Sequence, residues 1–152
     1  MDVQLRTHTN LDGTQDLATA IDAYATQVMS EFRDGLTASG VGARVLAQAI
    51  EASEGVVVTA HGADGARLGY CVVVPFSDPL LGDRMPMVVA LFTETDYRHR
   101  GLAAQMIASA RRDLESRGHM ELAARAGHND DALISMGERW GFVRSWELMV
   151  RE

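Results

Sequence analysis

A short basic turn between an apolar strand and an amphipathic helix constrains this chain more than any other feature. Residues 87–93 form an apolar run with β-branched and aromatic side chains, which is typical of a buried strand. The turn itself reads Arg98-His99-Arg100-Gly101-Leu102-Ala103. Apolar residues then recur at helical spacing on one face, at Leu102, Met106, Ile107, Ala110 and Leu114. The sequence therefore predicts a strand, a glycine-bearing turn and a helix in direct succession.

Such a turn is a candidate phosphate site. The first backbone N–H groups of a helix have no intrahelical acceptor and lie at the positive end of the helix dipole. Gly101 would let the backbone approach a ligand closely, and Ala103 leaves the helix start uncluttered. The alternative is an ordinary strand, turn and helix with solvated arginines.

The segment around this turn has a family resemblance. Leu91-Phe92-Thr93-Glu94-Thr95-Asp96-Tyr97-Arg98-His99-Arg100-Gly101-Leu102-Ala103 resembles the acetyl-CoA signature of the GNAT N-acetyltransferases, whose loop reads Gln/Arg-x-x-Gly-x-Gly/Ala after a strand. The resemblance implies an α/β (α+β) fold over a single domain, residues 1–152. It also implies a mixed, mostly antiparallel sheet of six to seven strands, about four flanking helices and a splayed central parallel strand pair.

The pattern of apolar residues is compatible with that layout, although by itself it supports only an α/β or α+β domain. Strands are predicted at residues 1–9, 56–61, 67–76, 87–93, 120–126 and 142–150. Helices are predicted after residue 14, at 41–52, from 102 to about 117, and at 130–140. A tight hairpin at residues 62–65 joins the second and third strands.

The resemblance also implies how acetyl-CoA, the co-substrate, would bind. The backbones of Leu91, Phe92 and Thr93 would pair with the pantetheine amides like an added strand, while the Phe92 side chain packs in the core. Backbone N–H groups of the turn would cradle the pyrophosphate, from Arg98, His99, Arg100, Gly101, Leu102, Ala103 and Ala104. On the late helix, the family's asparagine matches Asn129 by residue type and Asp130 by counting back from Gly141.

The implied reaction is direct transfer of the acetyl group to an amine. It needs a base for the amine, a donor for the oxyanion and an acid near the sulfur. A backbone N–H within residues 92–93 suits the oxyanion, and Glu94 is the candidate base, its alternative being a surface carboxylate. The family's acid tyrosine is missing, because its position falls on Gly137 in one register and on Met136 in the other. Tyr24 and Tyr70 are alternative acids only if they face the cleft rather than the core.

Composition narrows the function classes. A formal charge of −7 argues against a general nucleic-acid binder, which carries a basic surface. No apolar run approaches the roughly 20 residues that span a bilayer, and the N-terminus lacks a signal-peptide pattern, so we expect a cytoplasmic protein without a membrane partner. Cys71 lies in an apolar run typical of a core strand, and the five histidines show no ligand spacing, so no metal site is predicted.

The sequence thus predicts an acetyl-CoA-dependent N-acetyltransferase acting on a small-molecule or peptide amine, with a homodimer as a possible assembly. The acceptor would meet residues 31–35 and 78–84, whose carboxylates either attract a cationic amine or are simply solvated: Glu31, Asp34, Asp78 and Asp83. One alternative is a CoA-binding sensor that has lost turnover, suggested by Gly137. Another is an unrelated nucleotide-binding domain, although the lysine of an NTPase phosphate loop is missing.

Overall fold

The computed structural model describes residues 2–30, 35, 37–127, 130–145, 149 and 151. Within these residues the chain forms five strands and four α-helices, in the order β1 (Gln4–His8), α1 (Gln15–Ser30), α2 (Val41–Glu51), β2 (Val56–His61), β3 (Arg67–Ser77), β4 (Arg84–Thr93), α3 (Leu102–Ser116), β5 (Ala123–Ala124) and α4 (Asp131–Arg139). A short 3-10 helix at Thr95–Tyr97 joins β4 to α3. The strands make one mixed sheet in the order β1-β2-β3-β4-β5.

The sheet agrees with the expected class but has fewer strands. Its first three pairs are antiparallel and only β4 and β5 run parallel, as predicted for a mixed, mostly antiparallel sheet. The described residues contain five strands rather than six to seven. The parallel pair also lies at one end of this described sheet, not at its centre.

The differences are concentrated in the last third of the chain. The strand predicted at residues 120–126 is reduced to Ala123–Ala124, because β5 pairs with β4 only at Met87 and Val88. For the strand predicted at residues 142–150, the described residues 142–145 and 149 form no strand, and residues 146–148 and 150 lie outside the described residues. An interrupted pattern in which charged residues alternate irregularly with apolar ones does not specify a strand without a partner.

Both faces of the sheet are covered, which explains the unbroken apolar runs of β2 and β3. Along β2, Val56 and Val58 pack on the side of α3, and Val57 packs on the side of α1 and α2. We call these the α3 face and the α1/α2 face. Cys71 is fully buried on the α3 face, and burial raises the pKa of its thiol to about 12. It is a core residue, as the sequence indicated.

A β-bulge separates the two halves of β4. Val72 of β3 pairs with Ala90, and Val73 pairs with Val88, so Val89 is an extra residue on β4. A bulge bends its strand and increases the local twist. Pairing between β4 and β5 ends at the same point, where the Arg125 N–H donates to the Val88 carbonyl at 3.4 Å. Beyond it, residues 89–93 have no described strand on the β5 side, and we call this gap the cleft.

None of the described helices is both long and apolar enough to cross a membrane.

Candidate functional site

The turn before α3 contains two residues with left-handed backbone conformations. Gly101 is the N-cap residue of α3 and adopts a left-handed conformation, with φ 77° and ψ 10°. His99 is also left-handed, with φ 62°. A Cβ atom built on Gly101 would meet no atom within 4 Å. The glycine is therefore required by its φ angle, and the space above it is open to a ligand.

The start of α3 has no side-chain cap. Its first helical hydrogen bond runs from the Gln105 N–H to the Gly101 carbonyl, at 3.1 Å. Helix geometry leaves the amides of Leu102, Ala103 and Ala104 without intrahelical acceptors, so they lie at the positive end of the dipole. They are three of the amides, from Arg98 to Ala104, that the family resemblance implies for the pyrophosphate.

A second helix in this chain shows what such a turn can bind. Gly40, the N-cap of α2, has φ 73° and ψ 1°, close to the values at Gly101. There the Asp22 carboxylate accepts hydrogen bonds from the N–H of Gly40 at 3.2 Å and the N–H of Gly42 at 2.7 Å. The matching amides before α3 belong to Gly101 and Ala103. The α2 turn therefore holds an oxyanion on the same pair of amides.

The main chain of β4 is open toward the cleft at alternate residues. The Glu94 N–H donates to the Leu68 carbonyl of β3 at 2.8 Å. Because main-chain groups alternate in direction along a strand, Phe92 also faces β3, whereas Leu91 and Thr93 face the cleft. The Thr93 carbonyl accepts from Arg98 Nε at 3.0 Å. Of the three residues predicted to pair with pantetheine, Leu91 and Thr93 are therefore the two whose main-chain groups face the cleft rather than β3.

The Phe92 side chain belongs to the core, as predicted. Its ring stacks on Tyr70 at 5.4 Å between centroids, on the α1/α2 face. The arginines of the turn lie over neighbouring rings: Arg98 is 5.9 Å from the Phe92 centroid and Arg100 is 5.6 Å from that of Tyr97. Both arginines are exposed. Their positive charge is therefore held beside the open amides of α3, where it adds to the attraction for phosphate.

Tyr24 approaches the cleft from α1. It is half-buried, and its ring meets Tyr70 edge-on at 6.2 Å with an interplanar angle of 78°. Burial raises the pKa of the Tyr24 hydroxyl, and the main chain of Leu91 lowers it by a smaller amount. The sequence left Tyr24 open between core and cleft. The structure packs its ring against the core on the α1/α2 face.

Glu94, the candidate base, lies at the end of β4 and is exposed. Being two residues from Phe92, its side chain lies on the α1/α2 face. Burial raises the pKa of Tyr70, and the charges of Tyr24 and Glu94 raise it further. Glu94 thus lies on the same face of the sheet as Tyr70 and Tyr24.

The start of α4 carries its own cap. Asp130 takes the family's asparagine position when counted back from Gly141. Its side chain accepts a hydrogen bond from the Leu133 N–H at 3.1 Å and so caps α4. Asn129 lies outside the described residues. A Cβ on Gly137 would meet only the Phe142 Cβ, at 3.8 Å, which is ordinary contact. A side chain fits at Gly137, so packing does not require this glycine.

The candidate acceptor residues are only partly described. Glu31 and Asp34 lie outside the described residues. Asp78 accepts hydrogen bonds from the N–H groups of Leu80 and Leu81, both at 2.9 Å, and so holds its own turn. Asp83 is exposed. Among the residues placed by the structure, Glu94 is therefore the carboxylate nearest to the open end of β4 in sequence.

A polar cluster on β1 and β2 had no signal in the sequence, because its histidines are far apart along the chain. His8 Nε2 and His61 Nε2 lie 2.7 Å and 2.9 Å from the buried Thr59 hydroxyl. Burial lowers the pKa of His8, and the charges of His61, Arg6 and Arg67 lower it further. Among the described residues, no three His, Cys, Asp or Glu side chains are grouped to hold a metal.

Comparison with known proteins identifies the fold. No family model matches the sequence, and no curated protein matches it. Among solved structures, AAC(6')-Iy in complex with the bisubstrate analog CoA-S-monomethyl-acetylneamine has a TM-score of 0.70 and 16% identity, over 100% of this chain and 98% of that chain. Ribosomal-protein-alanine N-acetyltransferase from Brucella melitensis biovar Abortus 2308 has a TM-score of 0.70 and 18% identity, over 100% and 99%.

A third structure extends the same likeness. The aminoglycoside 6'-N-acetyltransferase AAC(6')-Ih from Acinetobacter baumannii has a TM-score of 0.66 and 10% identity, over 99% of this chain and 97% of that chain. These proteins are GNAT-fold acetyltransferases. The chain therefore has the GNAT fold along its whole length, and the resemblance stated from residues 91–103 is confirmed at the level of the fold.

Proposed function

We propose that this chain is an acetyl-CoA-dependent N-acetyltransferase that moves an acetyl group to a primary amine of a small molecule or peptide. The observation that carries the proposal is the uncapped turn at Gly101 lying directly beside the open edge of β4. The amides of the turn suit the pyrophosphate, and the main-chain groups at the edge of β4 suit the pantetheine arm. AAC(6')-Iy, whose fold this chain shares, was solved with CoA and with a CoA analog.

In this proposal the co-substrate runs from α3 into the cleft. The amides of Gly101 to Ala104 hold the pyrophosphate, with Arg98 and Arg100 adding charge. The arm then passes Thr93 and Leu91, whose main-chain groups face it as an adjacent strand would. This order places the thioester beyond Thr93, toward the bulge at Val89.

The chemistry follows from that placement. The neutral amine attacks the thioester carbonyl, and negative charge develops on the carbonyl oxygen. A cleft-facing amide of β4 stabilises this charge, and within residues 92–93 the geometry favours Thr93, because the Phe92 amide faces β3. Glu94 accepts the proton that the amine must lose, directly or through water. Positioning of the two substrates supplies much of the remaining rate.

The test combines binding and turnover. We expect Gly101→Val to weaken CoA binding about 100-fold or more, because its side chain and changed φ disrupt the phosphate turn. Isothermal calorimetry measures the binding, and release of free thiol from acetyl-CoA across a panel of amines measures the turnover. Gly13→Val is the matched control, because Gly13 has a similar φ of 71° and equally open space but lies in the β1–α1 turn.

Both variants should remain folded, with a loss of about 1–2 kcal/mol from left-handed strain. Unchanged CoA binding by Gly101→Val would contradict the cofactor assignment. Tight CoA binding by the wild-type protein without amine-dependent thiol release would instead favour a CoA sensor, the alternative that the missing α4 tyrosine suggests. One observation favours this second function: Met136 and Gly137 stand at the two positions where the family's tyrosine would be expected.

We also propose that the chain is a single domain over residues 1–152, that it is cytoplasmic and that it forms a homodimer. The nature of the amine is likewise a proposal, since the neighbours named above act on aminoglycosides or on a ribosomal protein.

A further inference from the structure

Two histidines on β1 and β2 share one buried hydroxyl. His8 Nε2 and His61 Nε2 lie 2.7 Å and 2.9 Å from Thr59 Oγ1, and Thr59 is only 2% exposed. His61 Nδ1 lies 3.1 Å from the Gly65 carbonyl, which only accepts, so this nitrogen carries a hydrogen. In neutral His61, Nε2 is then an acceptor and takes the Thr59 O–H. The Thr59 oxygen in turn accepts from His8 Nε2, so the three side chains fix one another's positions.

Two arginines complete a cationic group around that hydroxyl. Arg6 is the direct partner of Thr59 in the β1–β2 register. Arg67 is the partner of His61 in the β2–β3 register. Residues opposite each other in a sheet point to the same face, so both arginines lie beside the histidines. Burial lowers the pKa of His8, and three nearby charges lower it further, those of His61, Arg6 and Arg67. We call Arg6, His8, Thr59, His61 and Arg67 the cationic cluster.

The cationic cluster has no acidic partner among the described residues. Three other arginines each have a carboxylate within 3.1 Å: Arg84, Arg111 and Arg117. No described carboxylate forms such an ion pair with Arg6 or Arg67, and Arg6 donates to the neutral Gln4 side chain at 3.3 Å. Arg6 is exposed, and both histidines and Arg67 are half-buried, so a ligand can reach them from solvent. In a chain of charge −7, cations without a described counter-ion are a candidate site for an anion.

The cationic cluster shares a face of the sheet with Glu94, the candidate base. Thr59 pairs with Tyr70 of β3, and Tyr70 pairs with Phe92 of β4. Because neighbouring strands are about 4.8 Å apart, the row from Thr59 to Phe92 spans about 10 Å. Glu94 follows Phe92 by two residues and so lies on the same face, and its N–H is bonded to the Leu68 carbonyl of β3 at 2.8 Å. A negative charge and the cationic cluster thus lie about two strands apart on the α1/α2 face.

We propose that the cationic cluster binds an oxyanion, a carboxylate or a phosphate, carried by the amine that the enzyme acetylates, an inference that rests on the proposed function. Arginine forks and imidazole N–H groups suit either kind of oxyanion. The amine of the acceptor is drawn to Glu94 and its oxyanion to the cationic cluster, so the two charges orient the substrate before reaction. An extended tripeptide spans about 10 Å from its amine to its carboxylate. The substrate class is therefore an amine with an oxyanion about one tripeptide length away.

The first measurement detects the oxyanion without CoA or turnover. The Cε1–H resonances of His8 and His61 are followed by NMR near neutral pH and at constant ionic strength, with succinate in one titration and inorganic phosphate in another. Both resonances should shift with one Kd, and the anion with the lower Kd identifies the group as carboxylate or phosphate. Arg67→Gln should raise that Kd about 10-fold, because one charge-assisted donor is lost. Arg112→Gln is the matched control, since Arg112 is an exposed arginine of α3, on the opposite face, and should titrate like the wild type.

The second measurement compares acceptors that differ only in their oxyanion. One pair is a tripeptide with a free C-terminal carboxylate and the same tripeptide as its amide. The other pair is a tripeptide amide that ends in phosphoserine and its serine counterpart. In one of the two pairs, the anionic member should have a kcat/KM about 10-fold higher, through a lower KM for the acceptor. Arg67→Gln should remove this difference and leave the KM for acetyl-CoA unchanged, whereas Arg112→Gln should retain it.

The two measurements separate the site from its use. Histidine resonances that respond to neither anion, or an equal Kd in the wild type and Arg67→Gln, would overturn the oxyanion site. Equal kcat/KM values within both acceptor pairs would overturn its role in binding the acceptor. A wild-type protein that acetylates no amine, while its histidine resonances still respond to an anion, would instead overturn the proposed function.

Discussion

Helices α2 and α3 begin with nearly the same turn and put it to different uses. Each has a left-handed glycine as its N-cap residue, Gly40 in α2 and Gly101 in α3, and neither has a side-chain cap of its own. At α2 the carboxylate of Asp22 closes the turn from the neighbouring helix α1. At α3 no carboxylate of the described residues is hydrogen-bonded to the first-turn amides.

The two turns differ in the anion that meets their free amides. An anion at a helix start stabilises the helix by compensating its dipole and its unpaired amides. In α2 the chain supplies that anion, so the turn fixes α1 against α2. In α3 none of the described carboxylates supplies it, and in the proposed function a phosphate ligand does, beside the exposed arginines Arg98 and Arg100. The residues two positions after each N-cap also differ: Gly42 is packed against α1, whereas Ala103 is only partly buried.

The largest expected effect is on folding at α2. A Cβ at Gly42 would run into the main-chain carbonyl of Ala18, with the carbonyl carbon only 2.6 Å away. We expect Gly42→Ala to destabilise the protein by about 3 kcal/mol, because backbone cannot move aside as a flexible side chain can. Chemical denaturation measures the loss.

The control for that change is the matching position of α3. Ala103→Gly should cost less than about 1 kcal/mol, the helix propensity difference between the two residues. If Gly42→Ala unfolded at the same denaturant concentration as the wild type, the two turns would not differ in packing as described.

The second expected effect is the loss of the built-in anion. Asp22→Ala should lower the free energy of unfolding by about 2 kcal/mol, since the amides of Gly40 and Gly42 lose their acceptor. CoA affinity measured by calorimetry should be unchanged, because Asp22 serves α2 alone. A drop in CoA affinity with intact folding would show that the two turns are coupled, and would contradict the assignment of Asp22 to α2 alone.

The smallest expected effect is stabilisation of the folded protein by an anion bound at the turn before α3. Inorganic pyrophosphate at about three times its Kd should raise the free energy of unfolding by about 0.8 kcal/mol, through binding to the folded state alone. Thermal unfolding with and without the ligand provides the measurement. Asp22→Ala should show the same increment and Gly101→Val none. An increment that survived in Gly101→Val would place the anion somewhere other than α3.

Local patterns were enough to predict most elements of the fold. The apolar run of β2 predicted residues 56–61, which is its observed range, and the prediction for α2 at 41–52 differs from Val41–Glu51 by one residue. The turn between β4 and α3 is predicted together with its glycine, because the strand, turn and helix signals are adjacent in sequence. Such elements carry their own periodicity and end at clear turn residues.

What the sequence missed depends on contacts between distant segments. Asp22 closes a turn 18 residues further along the chain, and nothing in its surroundings indicates this. His8 and His61 both meet the Thr59 hydroxyl, although 53 residues separate the two histidines along the chain. The predicted strand at 120–126 shortened to two residues because the length of a strand depends on its partner, here a β4 that bends away.

The single extra residue at Val89 also acts as a phase shift in β4. Val88 packs on the α3 face and Ala90 on the α1/α2 face, although residues two apart in a regular strand share one face. Every later side chain inherits the shift: Phe92 emerges on the α1/α2 face, and the amides of Leu91 and Thr93 turn away from β3. The same residues paired with β3 without a bulge would have the opposite parity, with Phe92 beneath α3 and the amide of Leu91 hydrogen-bonded to β3. The bulge at Val89 therefore decides which main-chain groups of β4 face the cleft.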